Sequence, residues 1–139
     1  MMTHAEAVIV RPDMDIEADI RRLIKTYPPL AHDSHYITIG VKEGEVVVTG
    51  YVKSAVTARY LLANIPFIDG VKSVVADGLY DDETLRRHVA HVTPVGVLAN
   101  LEYGSAILIG KLPADVKVDE LAQAVESVDG VHRVVTALS

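Results

Sequence analysis

The chain has no cysteine, no tryptophan and a single phenylalanine among its 139 residues. Without cysteine there can be no disulfide, no thiolate metal ligand and no cysteine nucleophile. With so little aromatic material there is little for stacking bases or sugars. Positive charge is also short: 13 Lys and Arg stand against 19 Asp and Glu, a net charge of −6, and no segment is basic. A general nucleic-acid binder needs a cationic footprint, so nucleic acid is not an expected partner. No apolar run approaches the roughly 18 residues of a membrane-spanning helix. Met1 to Arg11 has no basic start, and its apolar run Ala7–Val10 is too short for a signal sequence. The expected location is therefore cytoplasmic, with a possible place at the membrane periphery. G-x-G-x-x-G, Walker and nucleophile-elbow patterns are all missing. The expectation is a protein that is not an enzyme and that needs neither cofactor nor metal.

What the chain does have is a repeat. At a shift of 60, Gly44, Gly50, Val56, Leu61, Asp69, Gly70, Val71, Val74 and Val75 recur as Gly104, Gly110, Val116, Leu121, Asp129, Gly130, Val131, Val134 and Val135. Most other pairs exchange one apolar residue for another, as in Val48/Leu108 and Ile68/Val128. Two copies of one small module follow from this. A module of such size buries only roughly 60% of its unfolded surface and gains from a packed neighbour. Half the residues are hydrophobic, mostly aliphatic, with a mean hydropathy of +0.26.

Each copy reads α-β-β-α-β. Ile16, Ile20, Leu23 and Ile24 have the spacing of an amphipathic helix over about 15–24, which Asp13 or Asp15 can cap and Tyr27-Pro28-Pro29 stops. Its counterpart begins at Asp81-Asp82 and carries Leu85, Val89 and Val92. Aligning Arg21-Arg22 on Arg86-Arg87 gives a shift of 65, so the following loop is five residues shorter in the second copy. A hairpin follows, turning at Glu43-Gly44-Glu45 and again at Tyr103-Gly104-Ser105. Second helices are expected over about 55–65 and 114–125, and final strands over 71–76 and 131–137.

These residues carry a resemblance. Gly44-Glu45-Val46-Val47-Val48-Thr49-Gly50-Tyr51-Val52, with Gly70-Val71-Lys72-Ser73-Val74, resembles the BON domain. The second copy is degenerate, with Ala106 and Leu112 at the hairpin valines. The resemblance implies an α+β fold of two αββαβ modules, each a small three-stranded mixed sheet packed with two helices. Residues 1–12 would be an N-terminal extension, 13–79 the first module and 80–139 the second. It also implies, for the family, bacterial envelope proteins and phospholipid or membrane-surface binding.

Several groups could carry chemistry. Arg21, Arg22 and Lys25, with Arg86, Arg87 and His88, lie on the first helix of each copy. Arginine can grip a phosphate with two hydrogen bonds, so these are the candidate lipid-phosphate contacts. The plainer reading is a solvated helix face neutralised by Glu17, Asp19 and Glu83. His32/His35 and His88/His91 are H-x-x-H pairs that lack further ligands. Gly50 and Gly110 inside strands point to close backbone approach to a packed helix, or to a bulge. Asp69-Gly70 and Asp129-Gly130 read as turns. Leu98, Ile107 and Ile109 fall on one strand face opposite the helices, and they need a cover: the other module, a second subunit or a ligand. Packing between modules or subunits is the favoured cover. The leading functional expectation is a non-enzymatic binding module for anionic phospholipid or a membrane-surface protein. The alternative is a self-assembling scaffold that forms homo-oligomers through its apolar sheet faces.

Overall fold

A computed structural model describes residues 10–139. Most of the expected N-terminal extension, residues 1–9, lies outside the described part. Helix α1 (Asp13–Thr26) buries Ile16, Ile20 and Ile24. The prolines after it do stop it, but they also start a second short helix, α2 (Pro28–Asp33), with proline in its first turn. Proline suits that place because the first helical N–H groups have no partner inside the helix. His32 and His35 therefore stand on α2 and the 3-10 turn that follows it.

Strands β1 (Ile37–Lys42) and β2 (Glu45–Val52) form an antiparallel hairpin. Helix α3 (Ala55–Asn64) crosses over to β3 (Ser73–Asp81), which runs parallel to β2. The second module repeats this with α4 (Asp82–Ala90), β4 (Val97–Glu102), β5 (Ser105–Gly110), α5 (Val118–Glu126) and β6 (Arg133–Leu138). The sheet orders are β1-β2-β3 and β4-β5-β6. Each sheet is mixed, and each parallel pair is joined by the helix that such a pair requires. The α+β fold of two αββαβ modules is thus present, with α2 added to the first.

Alternation along the central strands sorts the residues. Val46, Val48 and Val52 turn inward and are fully buried against Ile16, Ile20, Leu61 and Ile65. Ala106 and Leu108 do the same against Leu85, Val89, Leu121 and Val125. Each fully buried aliphatic side chain contributes about 1.5–3 kcal/mol. Gly50 and Gly110 approach backbone, as expected, but it is strand-entry backbone and not a helix. A Cβ would stand 1.9 Å from the Tyr36 carbonyl oxygen at Gly50, and 2.2 Å from that of Gly96 at Gly110.

Helix α5 begins four residues later than expected. Ser54 caps α3 by accepting from Thr57 N at 3.2 Å. Its counterpart is Ala114, which has no oxygen to offer, and the chain turns once more before α5 starts.

One tie recurs in both modules. Both hairpin turns have two central residues at positive φ: Glu43 at 50° and Gly44 at 81°, Tyr103 at 46° and Gly104 at 83°. This turn suits the strand twist but leaves its N–H groups pointing away from the ladder. The Asp13 carboxylate accepts from Glu43 N at 2.8 Å and Gly44 N at 3.0 Å. Asp82 accepts from Tyr103 N at 2.7 Å and Gly104 N at 3.1 Å. Asp13 therefore corresponds to Asp82, Ile16 to Leu85 and Ile20 to Val89, a shift of 69 each time. The shift of 65 is corrected by one helical turn, and the connection from helix to hairpin is nine residues shorter in the second module, not five. Neither Asp13 nor Asp15 caps α1, whose N-cap is Pro12. Asp82 is 3% exposed, whereas Asp13 is half-buried. Asp82→Ala should cost about 2–3 kcal/mol in urea unfolding and Asp13→Ala about 1 kcal/mol. Equal losses would show that burial does not set the strength of these ties.

Candidate functional site

The modules meet through tyrosines. Tyr103, at the second hairpin turn, is 7% exposed. Its ring stacks on Tyr36 with centroids 3.6 Å apart, and Lys53 Nζ lies 5.2 Å from its centroid. Its hydroxyl donates to Asp33 Oδ1 at 2.8 Å. Asp33 is buried and also accepts from Lys53 N at 3.0 Å. Tyr51, from the outward face of β2, donates to the Gly130 carbonyl at 2.7 Å. Tyr80 donates to Asp129 Oδ1 at 2.9 Å. Asp129-Gly130 is thus a turn, as expected, and also a docking point. Ala55 N donates to Glu83 Oε1 at 3.0 Å, tying the start of α3 to α4.

Beside this junction lies a groove of about 510 Å³. Ile107 and Val135 line it on the module 2 side, Tyr36 and Tyr51 on the module 1 side, and His132, Arg133 and Glu102 supply its charged groups. The groove continues onto the outward face of the second sheet. Leu98 pairs with Ile109 across β4 and β5, and Ile107 pairs with Val135 across β5 and β6. Leu98, Ile107 and Ile109 therefore share one face, extended by Val135 and Ala137. Module 1 borders this face at Ile107, and Leu98 remains 67% exposed.

The basic residues are dispersed differently. Arg21 pairs with Glu17 at 2.7 Å and Arg22 with Asp19 at 3.2 Å, all on α1. Lys25 borders a groove of about 230 Å³ with Arg21, Ser34 and His35. Arg87 donates to Thr84 Oγ1 at 3.2 Å. Among the described residues, no carboxylate lies within ion-pair distance of Arg86 or Arg87. His88 lines a crevice with Tyr80, Asp81, Thr84 and Asp129. At the shift of 69, Glu17 and Ala18 stand where Arg86 and Arg87 do, so the two arginine pairs are not equivalent positions. No group of three or more histidine or carboxylate side chains that could hold a metal stands together among the described residues.

Sequence reasoning missed Asp33, Tyr36, Tyr51 and Tyr103 as a set. One signal was available: Tyr103 precedes a turn glycine at a site that favours Asn, Asp or Gly. A tyrosine held there at positive φ is held by something else.

Burial, then the hydrogen bond to Asp33 and its charge, push the Tyr103 phenol well above its ordinary pKa of 10.0. The folded state keeps this proton to higher pH than the unfolded chain does. The stability it contributes is therefore complete below pH 10.0 and is lost as pH rises beyond it. Alkaline unfolding should show wild type losing up to about 1.4 kcal/mol more per pH unit than Tyr103→Phe. Parallel curves for the two proteins would remove Tyr103 as the cause.

The BON domain family matches residues 12–79. No curated protein matches the sequence. Two of the solved structures that resemble the fold are of CdsD. One is the C-terminal domain of CdsD, described as the structural protein of the Type III secretion system of Chlamydia trachomatis. Its TM-score is 0.75 at 18% identity, over 93% of this chain and 67% of that one. The other, also of CdsD, has a TM-score of 0.71 at 18% identity, over 93% of this chain and 63% of that one. At such identity the likeness is one of fold, and this chain spans about two thirds of those chains. The hairpin glycines, the crossover helix and the matched segment from Pro12 to Leu79 agree, and that segment of the chain is a BON domain.

Proposed function

We propose that the protein is a non-enzymatic structural module that assembles through the outward face of its second sheet. The observation that carries this reading is the apolar strip Leu98, Ile107 and Ile109, continued by Val135. The helices cover the opposite face, and module 1 reaches only the end of the strip. Exposed apolar area of this kind is resolved by association, since burial of each aliphatic side chain is favourable. The intermodule groove extends the same surface and adds tyrosine edges and an arginine, residue types that anchor protein interfaces. The setting we favour is a structural part of a bacterial envelope assembly. The family's association with the envelope supports it, as does the description of CdsD as a structural protein of a secretion system.

A second reading rests on Arg86 and Arg87. They are exposed and have no described carboxylate partner, so they are free to meet lipid phosphates, with His88 and Lys25 as further contacts. Each basic group near an anionic bilayer is worth about 1 kcal/mol, so a few give weak binding that repeated copies would strengthen. Arg21 and Arg22 support this reading less, because acids on their own helix already neutralise them.

Sedimentation should give a mass that is a multiple of 15.0 kDa, lowered by Ile107→Lys or Leu98→Lys with the circular dichroism spectrum unchanged. A wild-type monomer at about 10 μM, where a modest interface of about 7 kcal/mol would hold, would sink the assembly reading. Co-sedimentation with anionic and zwitterionic vesicles separates the second reading. Binding that needs anionic lipid and is lost in Arg86→Glu with Arg87→Glu would support it. Binding that survives the double substitution would remove these residues from the site.

A further inference from the structure

The two hairpin tips are built alike and occupied differently. At the second, the Tyr51 ring stands against Gly104 and the Tyr80 ring against Gly130. A Cβ on Gly104 would stand 2.3 Å from Tyr51 Cε1, and the Tyr51 hydroxyl donates to the Gly130 carbonyl at 2.7 Å. At a shift of 60 the same positions in module 1 are Gly44 and Gly70, with Lys72 in place of His132. The backbone matches: φ is 81° at Gly44 against 83° at Gly104, and 93° at Gly70 against 97° at Gly130. Lys72 N donates to the Gly44 carbonyl at 2.8 Å as His132 N does to Gly104 at 3.0 Å. Among the described residues no aromatic ring fills the first socket, that of Gly44 and Gly70; the Lys72 side chain lies against Gly44, and Arg11 and Ile16 lie against Gly70. The first socket is an open groove of about 210 Å³ bordered by Val10, Arg11, Glu43, Val71 and Lys72, and no described residue donates to the Gly70 carbonyl.

An unburied aromatic ring stands close by in sequence. Phe67, the one phenylalanine of the chain, lies three residues before Gly70 and is 86% exposed. In module 2, where the socket is full, the same position is Ser127, whose hydroxyl donates to the Gln123 carbonyl. Among the described residues, the socket without an aromatic ring and the exposed ring thus occur together on one module, and neither occurs on the other. A module that carries both a knob and a hole can pair with a copy of itself about a two-fold axis. The rim carries both signs of charge, Glu43 and Asp69 with Lys42 and Lys72, all exposed. The same rotation lets opposite charges meet.

We propose that two copies of the chain pair through their first modules, each seating Phe67 in the Gly44–Gly70 socket of the other. This contact is separate from the sheet face of module 2. The test is sedimentation in an Ile107→Lys background, which removes the sheet-face contact. The expected result is a dimer. Adding Phe67→Ser, which copies Ser127, should weaken it by about 10-fold or more. Adding Phe67→Tyr should preserve it, because a hydroxyl is then offered to Gly70 as Tyr51 offers one to Gly130. An Ile107→Lys monomer at about 10 μM overturns the proposal. A dimer indifferent to Phe67→Ser overturns it too. A dimer that forms only after residues 2–9 are removed assigns the socket to the chain's own N-terminal segment and equally overturns it. Failure of the sheet-face reading has a different signature: wild type and Ile107→Lys would share one mass, whatever Phe67 does.

Discussion

A carboxylate at the start of a helix, accepting two N–H groups from a hairpin turn, sets the geometry of each module. The turn needs positive φ at both central residues, and its N–H groups would otherwise be left without partners. Asp13 and Asp82 satisfy them and lock the first helix against the hairpin at one register. The apolar stripe on that helix then falls on the inward side of the sheet. Ile16 and Ile20 meet Val46 and Val48 in one module, and Leu85 and Val89 meet Ala106 and Leu108 in the other. The tie is local, but it decides which face of the helix is buried, and so which residues remain for the surface.

The junction between modules is a consequence of the same turn. Because Asp82 holds the second turn from behind, its first central residue projects forward, and that residue is Tyr103. Its ring and hydroxyl reach Tyr36 and Asp33 in module 1. Asp33 is in place because the prolines that end α1 begin α2, whose last residue it is. The docking thus depends on a proline pair, a turn of fixed hand and a buried carboxylate, all set within short segments. Strand β3 leads into α4 without a linker, since Asp81 ends the one and caps the other by accepting from Thr84 N at 2.8 Å. A short covalent join and the tyrosine contacts together favour a fixed arrangement of modules.

The sequence made the hairpins, crossover helices and inward faces legible because period-two alternation and turn glycines are local signals, and the repeat supplied each signal twice. The helix register was harder. Two arginine pairs looked equivalent at a shift of 65, while the apolar stripe and the carboxylates obey 69. Charged residues on a solvated face are weakly constrained and so align by coincidence, whereas Asp13 and Asp82 have partners. The sheet face of Leu98, Ile107 and Ile109 could be read from alternation. The intermodule tyrosines could not, because Tyr51 and Tyr80 look like ordinary strand residues until the second module is set against them.

The differences between the copies now point to use. Where the modules face each other, the residues are Tyr36, Tyr51, Tyr80 and Tyr103. At the equivalent outer positions stand Gly96, Lys111, Arg11 and Glu43. The head-to-tail contact that joins the modules is therefore not offered again at either end of the described chain, much as terminal repeats of a stack carry polar outer faces. Open-ended growth by that contact is closed off. The association proposed above would use surfaces that the repeat shares only in part: on the second sheet Leu98 and Ile109 stand where the first has Thr38 and Thr49, while Ile107 and Val135 match the exposed Val47 and Val75, and Phe67 has only Ser127 as its counterpart. On that proposal, a two-module unit whose modules differ at these positions connects copies in a defined order, because no contact is offered identically by both modules.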